Sequence, residues 1–360
     1  MKILILSGGT AGHIHPAISI VERLNKNNNL FFWIGNKNGI EKYISYKHNI
    51  KFFQIESFPL RKNRFINFFF SFFSIIKSFF YAVKIILYIK PDLVLGMGGY
   101  VSGPSGLATY LLQYSLIIHE QNSVFGYTNK ILALFAKKIL FSYPSIRKKK
   151  NFIFVGNPIR NNISKLYKNE KKILKINILI LGGSLGSQVI NRYIFNNIKI
   201  TKKKILLNIW HQTGKNNKDN NFLLYSYKKY LKNNFRLVKF INNIGKAYQW
   251  ADLLICRGGA ITLSEISHIN TPSIIIPAKN SVDNHQLKNA YFMKKVYNAI
   301  LIEEKDLTNT VLDKHICYLY FYMFKIRKMF YLSKMFDINK KSTKKIEQIC
   351  ISIFNETINK

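Results

Sequence analysis

Acidic residues are scarce in this chain of 360: 17 Asp and Glu stand against 55 Lys and Arg, a formal net charge of +38. Cysteine is scarcer still. Cys256, Cys317 and Cys350 are odd in number and lack paired spacing, which excludes a disulfide framework and a cysteine zinc site and fits a reducing compartment. No Asp-x-Asp pair occurs anywhere, so no metal is called for, and nothing points to a cofactor. The apolar run at residues 3–6 is too short for a secretion signal, which predicts a chain that stays on the cytoplasmic side. A strongly basic chain raises nucleic acid or an anionic membrane as partner. Here the lysines come with a matching excess of Asn, Ile, Phe and Tyr, all read from A/T-rich codons and spread through every segment, so genomic bias is a sufficient cause. No basic helix or aromatic-basic platform is evident, and no nucleic-acid partner is expected. An anionic bilayer surface needs only general positive charge.

What is present is a repeated device. Ile3-Leu4-Ile5-Leu6 runs into Ser7-Gly8-Gly9-Thr10-Ala11-Gly12-His13, and Ala17, Ile18, Val21 and Leu24 then fall at helical spacing. Ile178-Leu179-Ile180-Leu181 runs likewise into Gly182-Gly183-Ser184-Leu185-Gly186-Ser187. Each is an apolar strand, a Gly-rich turn and a helix, and each opens a half-chain of alternating strands and helices. The pattern predicts an α/β chain of two Rossmann-like domains facing a central cleft, with ligands at the carboxyl ends of the strands. Further strands are expected at residues 30–34, 93–95, 116–118, 139–141 and 152–155, and at 206–210, 237–240, 253–256, 273–276 and 299–302. Two first-half strands end in polar or Gly-rich loops, residues 96–104 and 119–122. The boundary falls at Gly156-Asn157-Pro158-Ile159-Arg160 and the Lys-rich segment beyond. That gives domains at 1–160 and 161–335, with a helix at 336–360 for which a return to the first domain is one reading. From about Lys305 the chain is helical in pattern and otherwise uninformative.

A third strand–turn–helix lies at residues 252–269, around Arg257-Gly258-Gly259-Ala260-Ile261-Thr262-Leu263-Ser264-Glu265. Its glycines allow close backbone approach, and its helix start offers N–H groups to an anion. Glu265, about one turn in, suits a sugar's hydroxyl pair; it equally suits a plain turn with a carboxylate complementing the helix dipole. Residues 65–89 are long and aromatic. Asn67, Ser71, Ser74, Lys77, Ser78, Tyr81 and Lys84 cluster in an arc of roughly 140° at 100° per residue. Phe68, Phe72, Phe73, Ile76, Phe79, Phe80 and Val83 take the other face. This is an amphipathic helix rather than a membrane span, since a span would bury two lysines. Its aromatic face is expected both to pack on the core and to dip into lipid, with Phe72, Phe73 and Phe80 as the membrane patch.

Together the ordered motifs (residues 8–13, 96–104, 119–122, 156–160, 182–186, 257–265 and 283–286) resemble the MurG family of bacterial peptidoglycan glycosyltransferases over residues 1 to about 304. The resemblance implies the two-domain GT-B fold. It implies inverting transfer of N-acetylglucosamine from its UDP-sugar to the 4-hydroxyl of undecaprenyl-diphospho-N-acetylmuramoyl-pentapeptide (lipid I), giving lipid II, at the cytoplasmic face of the inner membrane. Carried over by position, it implies that Thr10, Ala11 and Gly12 line the cleft and Asn122 bonds the donor sugar. Arg160 and Ser184 handle the diphosphate. Ile241 offers its backbone to the uracil, and Ala260, Ile261, Thr262, Leu263, Ser264 and Glu265 form the nucleotide site with Glu265 on the ribose. Gln286 holds hydroxyls of the N-acetylglucosamine.

The inversion needs a base for the acceptor hydroxyl. His13 is the first candidate, since imidazole titrates near neutrality in water; the competing reading is that it only caps the helix or bonds a phosphate. Glu120 is the second, with an alternative role in orienting the loop at 96–100. His15 is left non-catalytic. Ala11 and Asn298 stand where Gly is common in the family; the turn tolerates Ala11 if its φ is negative, and Asn tolerates the left-handed region. Two other readings compete: another UDP-sugar enzyme on the same fold, such as a 2-epimerase, and a non-enzymatic membrane-associated remnant.

Overall fold

The computed structural model describes residues 1–25, 28–56, 65–144, 151–166, 175–204, 206–215, 220–269, 271–297, 299–308, 311–331 and 334–358. The chain divides into two compact units, Met1–Arg160 with Ile338–Lys360 and Asn161–Asp337.

The first unit runs β1 (Lys2–Ser7), α1 (Ala11–Leu24), β2 (Leu30–Asn36), α2 (Ile40–Lys47), β3 (Lys51–Ile55), α3 (Phe65–Ile89), β4 (Leu93–Gly98), α4 (Ser102–Leu111), β5 (Leu116–Glu120), α5 (Tyr127–Leu132), β6 (Lys138–Phe141) and β7 (Phe152–Phe154). Its sheet has the order β3-β2-β1-β4-β5-β6-β7, with every pairing parallel. Strands of a parallel sheet covered on both faces read as continuous apolar runs. That is why Ile3, Leu4, Ile5 and Leu6 are all buried without alternation. One face packs on α1, the other on α3, α4 and α5.

The second unit runs α6 (Asn161–Ser164), β8 (Ile176–Leu181), α7 (Gln188–Lys204), β9 (Leu207–Gln212), α8 (Asn220–Leu231), β10 (Phe235–Val238), α9 (Ile244–Trp250), β11 (Leu253–Cys256), α10 (Ala260–Ile269), β12 (Ser273–Ile275), α11 (His285–Tyr297), β13 (Ile300–Leu301) and α12 (Val311–Tyr331). Its parallel sheet has the order β10-β9-β8-β11-β12-β13. The last helix, α13 (Lys334–Ile358), buries Ile346, Cys350 and Ile353 in the β1/α1 side of the first unit, with Arg23 paired to Glu347 at 2.7 Å.

In each sheet the strand order reverses at one place, between β1 and β4 and between β8 and β11. Ligands of doubly wound sheets bind outside the carboxyl ends of the strands at such a switch point. Both Gly-rich turns, after β1 and after β8, sit there, as does the Arg257–Ala260 turn after β11.

Several elements differ from the sequence expectation. The strand expected at 237–240 lies at Phe235–Val238, and β3 was not anticipated, because Lys51-Phe52-Phe53-Gln54-Ile55 lacks both a continuous apolar run and clean alternation. β4 continues through Gly98 and α4 starts at Ser102, so the expected loop at 96–104 shrinks to a short turn. On α3 the polar arc is not simply outward. Ser78 is buried and donates to the carbonyls of Glu56 (2.7 Å) and Ser74 (2.6 Å), while Ala82, Ile86 and Ile89 face the core. Phe79 and Val83 pack against that core, whereas Phe73 and Phe80 are 66% and 59% exposed. A small hydroxyl that bonds the backbone lets the helix lie close to the sheet, so side-chain size decides the inward face here more than polarity. The side chain of Phe72, and Asn298 altogether, lie outside the described residues.

Candidate active site

In the first unit, Thr10 caps α1 in an extended conformation and spends no side-chain bond on the cap; its hydroxyl is exposed. Ala11 begins the helix itself, so its extra methyl meets no left-handed strain. Pro16 lacks the N–H that would bond the Gly12 carbonyl, leaving that oxygen without its usual helical donor beside the turn.

His13, half-buried, places Nδ1 2.9 Å from Gln121 Oε1. Its ring edge lies against Gly98, whose φ is +100°; a Cβ there would stand 3.1 Å from His13 Cε1. Gly98 therefore serves twice, in a left-handed conformation and as the seat of the imidazole. His119 is fully buried. Its Nε2 lies 3.2 Å from the Gly156 carbonyl, and burial pushes its imidazole down to about 4.

Glu120, 2% exposed, is saturated. Its Oε1 accepts from Asn122 N (3.0 Å) and Asn122 Nδ2 (3.1 Å), and its Oε2 accepts from Gly126 N (3.0 Å) and Asn129 Nδ2 (2.9 Å). A carboxylate so held spends its acceptor sites on the loop after β5 and the start of α5 rather than on the 96–100 turn. Asn122 therefore has one amide proton on Glu120. Ser142, Asn157 and Asn339 extend this network: Ser142 Oγ donates to Asn157 Oδ1 at 2.7 Å, Asn157 Nδ2 to the Gln121 carbonyl at 3.0 Å, and Asn157 N to Asn339 Oδ1 at 2.9 Å. Arg160, half-buried, ends this unit.

In the second unit, Gly183 and Ser184 are exposed at the turn after β8. Ser187 Oγ accepts from Ile190 N at 3.2 Å, fixing the start of α7. Arg257 reaches across from β11. Its Nη2 donates to Ser187 Oγ (2.6 Å), and its Nη1 donates to the Ile276 carbonyl (3.1 Å) and pairs with Glu304 (2.5 Å). Gln212 is a second tie, donating to the Gly183 carbonyl at 3.0 Å and accepting from Ile241 N at 2.9 Å. The Ile241 N–H is thus occupied, and of its backbone groups the carbonyl is the one not engaged by Gln212.

On α10, Leu263 is fully buried, so its side chain belongs to the core. Ala260, Ile261 and Ser264 are nearly buried, and Ser264 Oγ bonds back to the Ala260 carbonyl at 2.9 Å. What this helix start offers a ligand is backbone N–H groups and half-buried Thr262. Glu265, 1% exposed, accepts from the Tyr248 hydroxyl at 3.0 Å. Gly258 packs so tightly on Gln286 that a Cβ would lie 2.3 Å from the Gln286 carbonyl oxygen. Gln286 Oε1 accepts from Ala278 N at 3.0 Å, which orients its Nε2 as a donor. Among the described residues no cluster of three or more His, Cys, Asp or Glu is arranged to hold a metal, and no helix is long and apolar enough to cross a membrane. Burial pushes the Cys256 thiol, beside the site, up to about 12, so it is inert as a nucleophile.

The sequence reading did not assign Gln121, Gln212 or the Arg257 strap. Each acts through side-chain contacts with residues distant in sequence, for which the chain carries no local signal.

Residues 3–141 match the glycosyltransferase family 28 N-terminal domain and residues 177–341 the glycosyltransferase family 28 C-terminal domain. A protein of Vesicomyosocius okutanii is 42% identical over 315 residues, covering 87% of each chain. It is named UDP-N-acetylglucosamine–N-acetylmuramyl-(pentapeptide) pyrophosphoryl-undecaprenol N-acetylglucosamine transferase. A Coxiella burnetii protein of the same name is 38% identical, covering 86% of this chain and 87% of its own. Among solved structures, Acinetobacter baumannii MurG is similar with a TM-score of 0.78 at 27% identity, covering 98% of this chain and 99% of that one. A putative UDP-N-acetylglucosamine 2-epimerase from Listeria monocytogenes is similar in fold alone, with a TM-score of 0.68 at 13% identity, covering 99% and 97%.

Proposed function

The chain belongs to glycosyltransferase family 28, and from that premise we propose how it works. It is a hexosyltransferase that moves N-acetylglucosamine from UDP-N-acetylglucosamine to lipid I and makes lipid II for peptidoglycan. The observation that carries this is the 42% identity, over 87% of both chains, to a relative named for that transfer. The epimerase likeness, at 13% identity, carries fold and no activity.

The second unit takes most of the donor; Arg160 and Asn122 belong to the first unit. The N–H groups at the starts of α7 and α10, with Ser184 and Arg160, meet the diphosphate, whose charge grows as the bond to C1 breaks. Thr262 and Glu265 take the ribose, the Ile241 backbone takes the uracil edge, and Gln286 Nε2 and Asn122 take sugar hydroxyls. In the first unit the acceptor's 4-hydroxyl attacks C1. The new C–O bond forms as UDP leaves with the electron pair of the old one, and the hydroxyl proton passes to His13. His13 fits this role better than Glu120, whose oxygens already accept four donors.

The bilayer holds the acceptor's lipid, and the first unit offers it a face. Phe73 and Phe80 on α3, Leu107, Tyr110 and Leu111 on α4, Ile131 on α5 and Leu134 just after it are exposed on one layer, with exposed Lys77 and Lys84 beside them. An apolar strip with cationic borders suits peripheral binding to an anionic inner-membrane surface on its cytoplasmic side.

The test is a transfer assay with purified protein, labelled UDP-N-acetylglucosamine and a short-chain lipid I analogue. A disaccharide product with equal UDP release is expected. UDP release without transfer, or epimerised donor, would overturn the reading.

A further inference from the structure

Gln121 is 1% exposed at the end of β5. Its Nε2 lies 3.0 Å from the Met97 carbonyl, 3.2 Å from the His119 carbonyl and 3.1 Å from His119 Nδ1. All three are acceptors. Flipping the amide would set Oε1 against two carbonyl oxygens in a buried site, which is strongly disfavoured. So Oε1 must face His13, where it lies 2.9 Å from Nδ1. An amide oxygen only accepts, so the proton between them sits on His13 Nδ1. Among the described residues, His13 Nε2 has no hydrogen-bond partner.

The arrangement is supported from behind. His119 Nδ1 receives the Gln121 proton, so His119 carries its own proton on Nε2, which donates to the Gly156 carbonyl at 3.2 Å. Burial keeps that imidazole neutral near pH 7, as this double role requires. Ser342 Oγ donates to the same carbonyl at 3.0 Å. The chain of bonds thus runs from α1 through the interior of the unit to α13.

We propose that Gln121 is the positioning residue of the transfer reaction: it locks His13 as the Nδ1–H tautomer and so presents the Nε2 lone pair to the acceptor hydroxyl. A neutral imidazole in solution exchanges between two tautomers, and only one leaves Nε2 basic. At 1% exposed, Gln121 acts through His13 rather than on substrate. This inference rests on His13 being the base.

The test separates the two ideas. Protein labelled with 15N-histidine gives tautomers from two-bond 1H–15N spectra, with His13 identified by the signals lost in His13→Asn. Wild type is expected to show His13 protonated on Nδ1; protonation on Nε2 overturns the proposal without any Gln121 variant. Gln121→Met keeps the side-chain shape and removes the acceptor. It is expected to mix the tautomers and to lower kcat about tenfold or more, with KM for UDP-N-acetylglucosamine within about twofold. A pure Nδ1–H form in Gln121→Met overturns the positioning role. Mixed tautomers with unchanged kcat leave the lock standing and remove His13 as base.

Discussion

Glu120 and Glu265 read alike in the sequence, as carboxylates near strand-to-helix turns, and they differ in what holds them. Glu120 is closed by four donors from the loop after β5 and the start of α5, while Glu265 accepts the Tyr248 hydroxyl from a neighbouring helix. Glu265→Gln preserves shape and removes charge, and it is expected to weaken UDP-N-acetylglucosamine binding by about 1–3 kcal/mol. An unchanged Kd by calorimetry removes the ribose role. The buried histidines set an acid limit. His119 is pushed down to about 4 and His211, between Tyr227 and Asn191, to about 3, both by burial. The unfolded chain binds protons on them at about 6.5, so their contribution is fully present above that pH and is lost as pH falls toward 4 and 3. Thermal midpoints should therefore decline from about pH 6.5 downward. Flat midpoints to pH 4 would mean that both histidines are already charged in the fold. The residue types of the site were legible because chemistry restricts them. Partners such as Gln121 to His13 were not, because they lie 108 positions apart and meet only when the chain folds back.

At the scale of elements, the Gly-rich turns were legible and α3 was only partly so. A strand running into Gly-Gly and a helix has few folded solutions, and both such turns lie at switch points of their sheets. Helix α3 misled because a helical wheel sorts residues by polarity, whereas a close-packed sheet face also sorts them by size: Ser78 and Ala82 go in, Phe73 and Phe80 stay out. Phe73 and Phe80, left in solvent, make the membrane proposal testable. Replacing Phe72, Phe73 and Phe80 together by Ser should release the protein from anionic liposomes in a flotation assay while its thermal midpoint holds. Retained binding would assign the attachment elsewhere.

For the whole molecule, the α/β class and two Rossmann-like units followed from the repeated strand–turn–helix pattern, and family 28 membership covers both halves. The C-terminal segment carried no motif. Its attachment to the first unit rests on Ile346, Cys350 and Ile353 filling that unit's core and on the Arg23–Glu347 pair, contacts that a helical pattern alone does not specify. In the proposed mechanism donor binding falls mainly to the second unit and proton removal to the first. His13→Ala tests that division most directly, with turnover of a lipid I analogue and the Kd of UDP-N-acetylglucosamine measured on the same preparation. With His13 as base, kcat is expected to fall about 100-fold or more and Kd to change by less than about twofold. Unchanged turnover, or donor affinity falling in step with turnover, would contradict it.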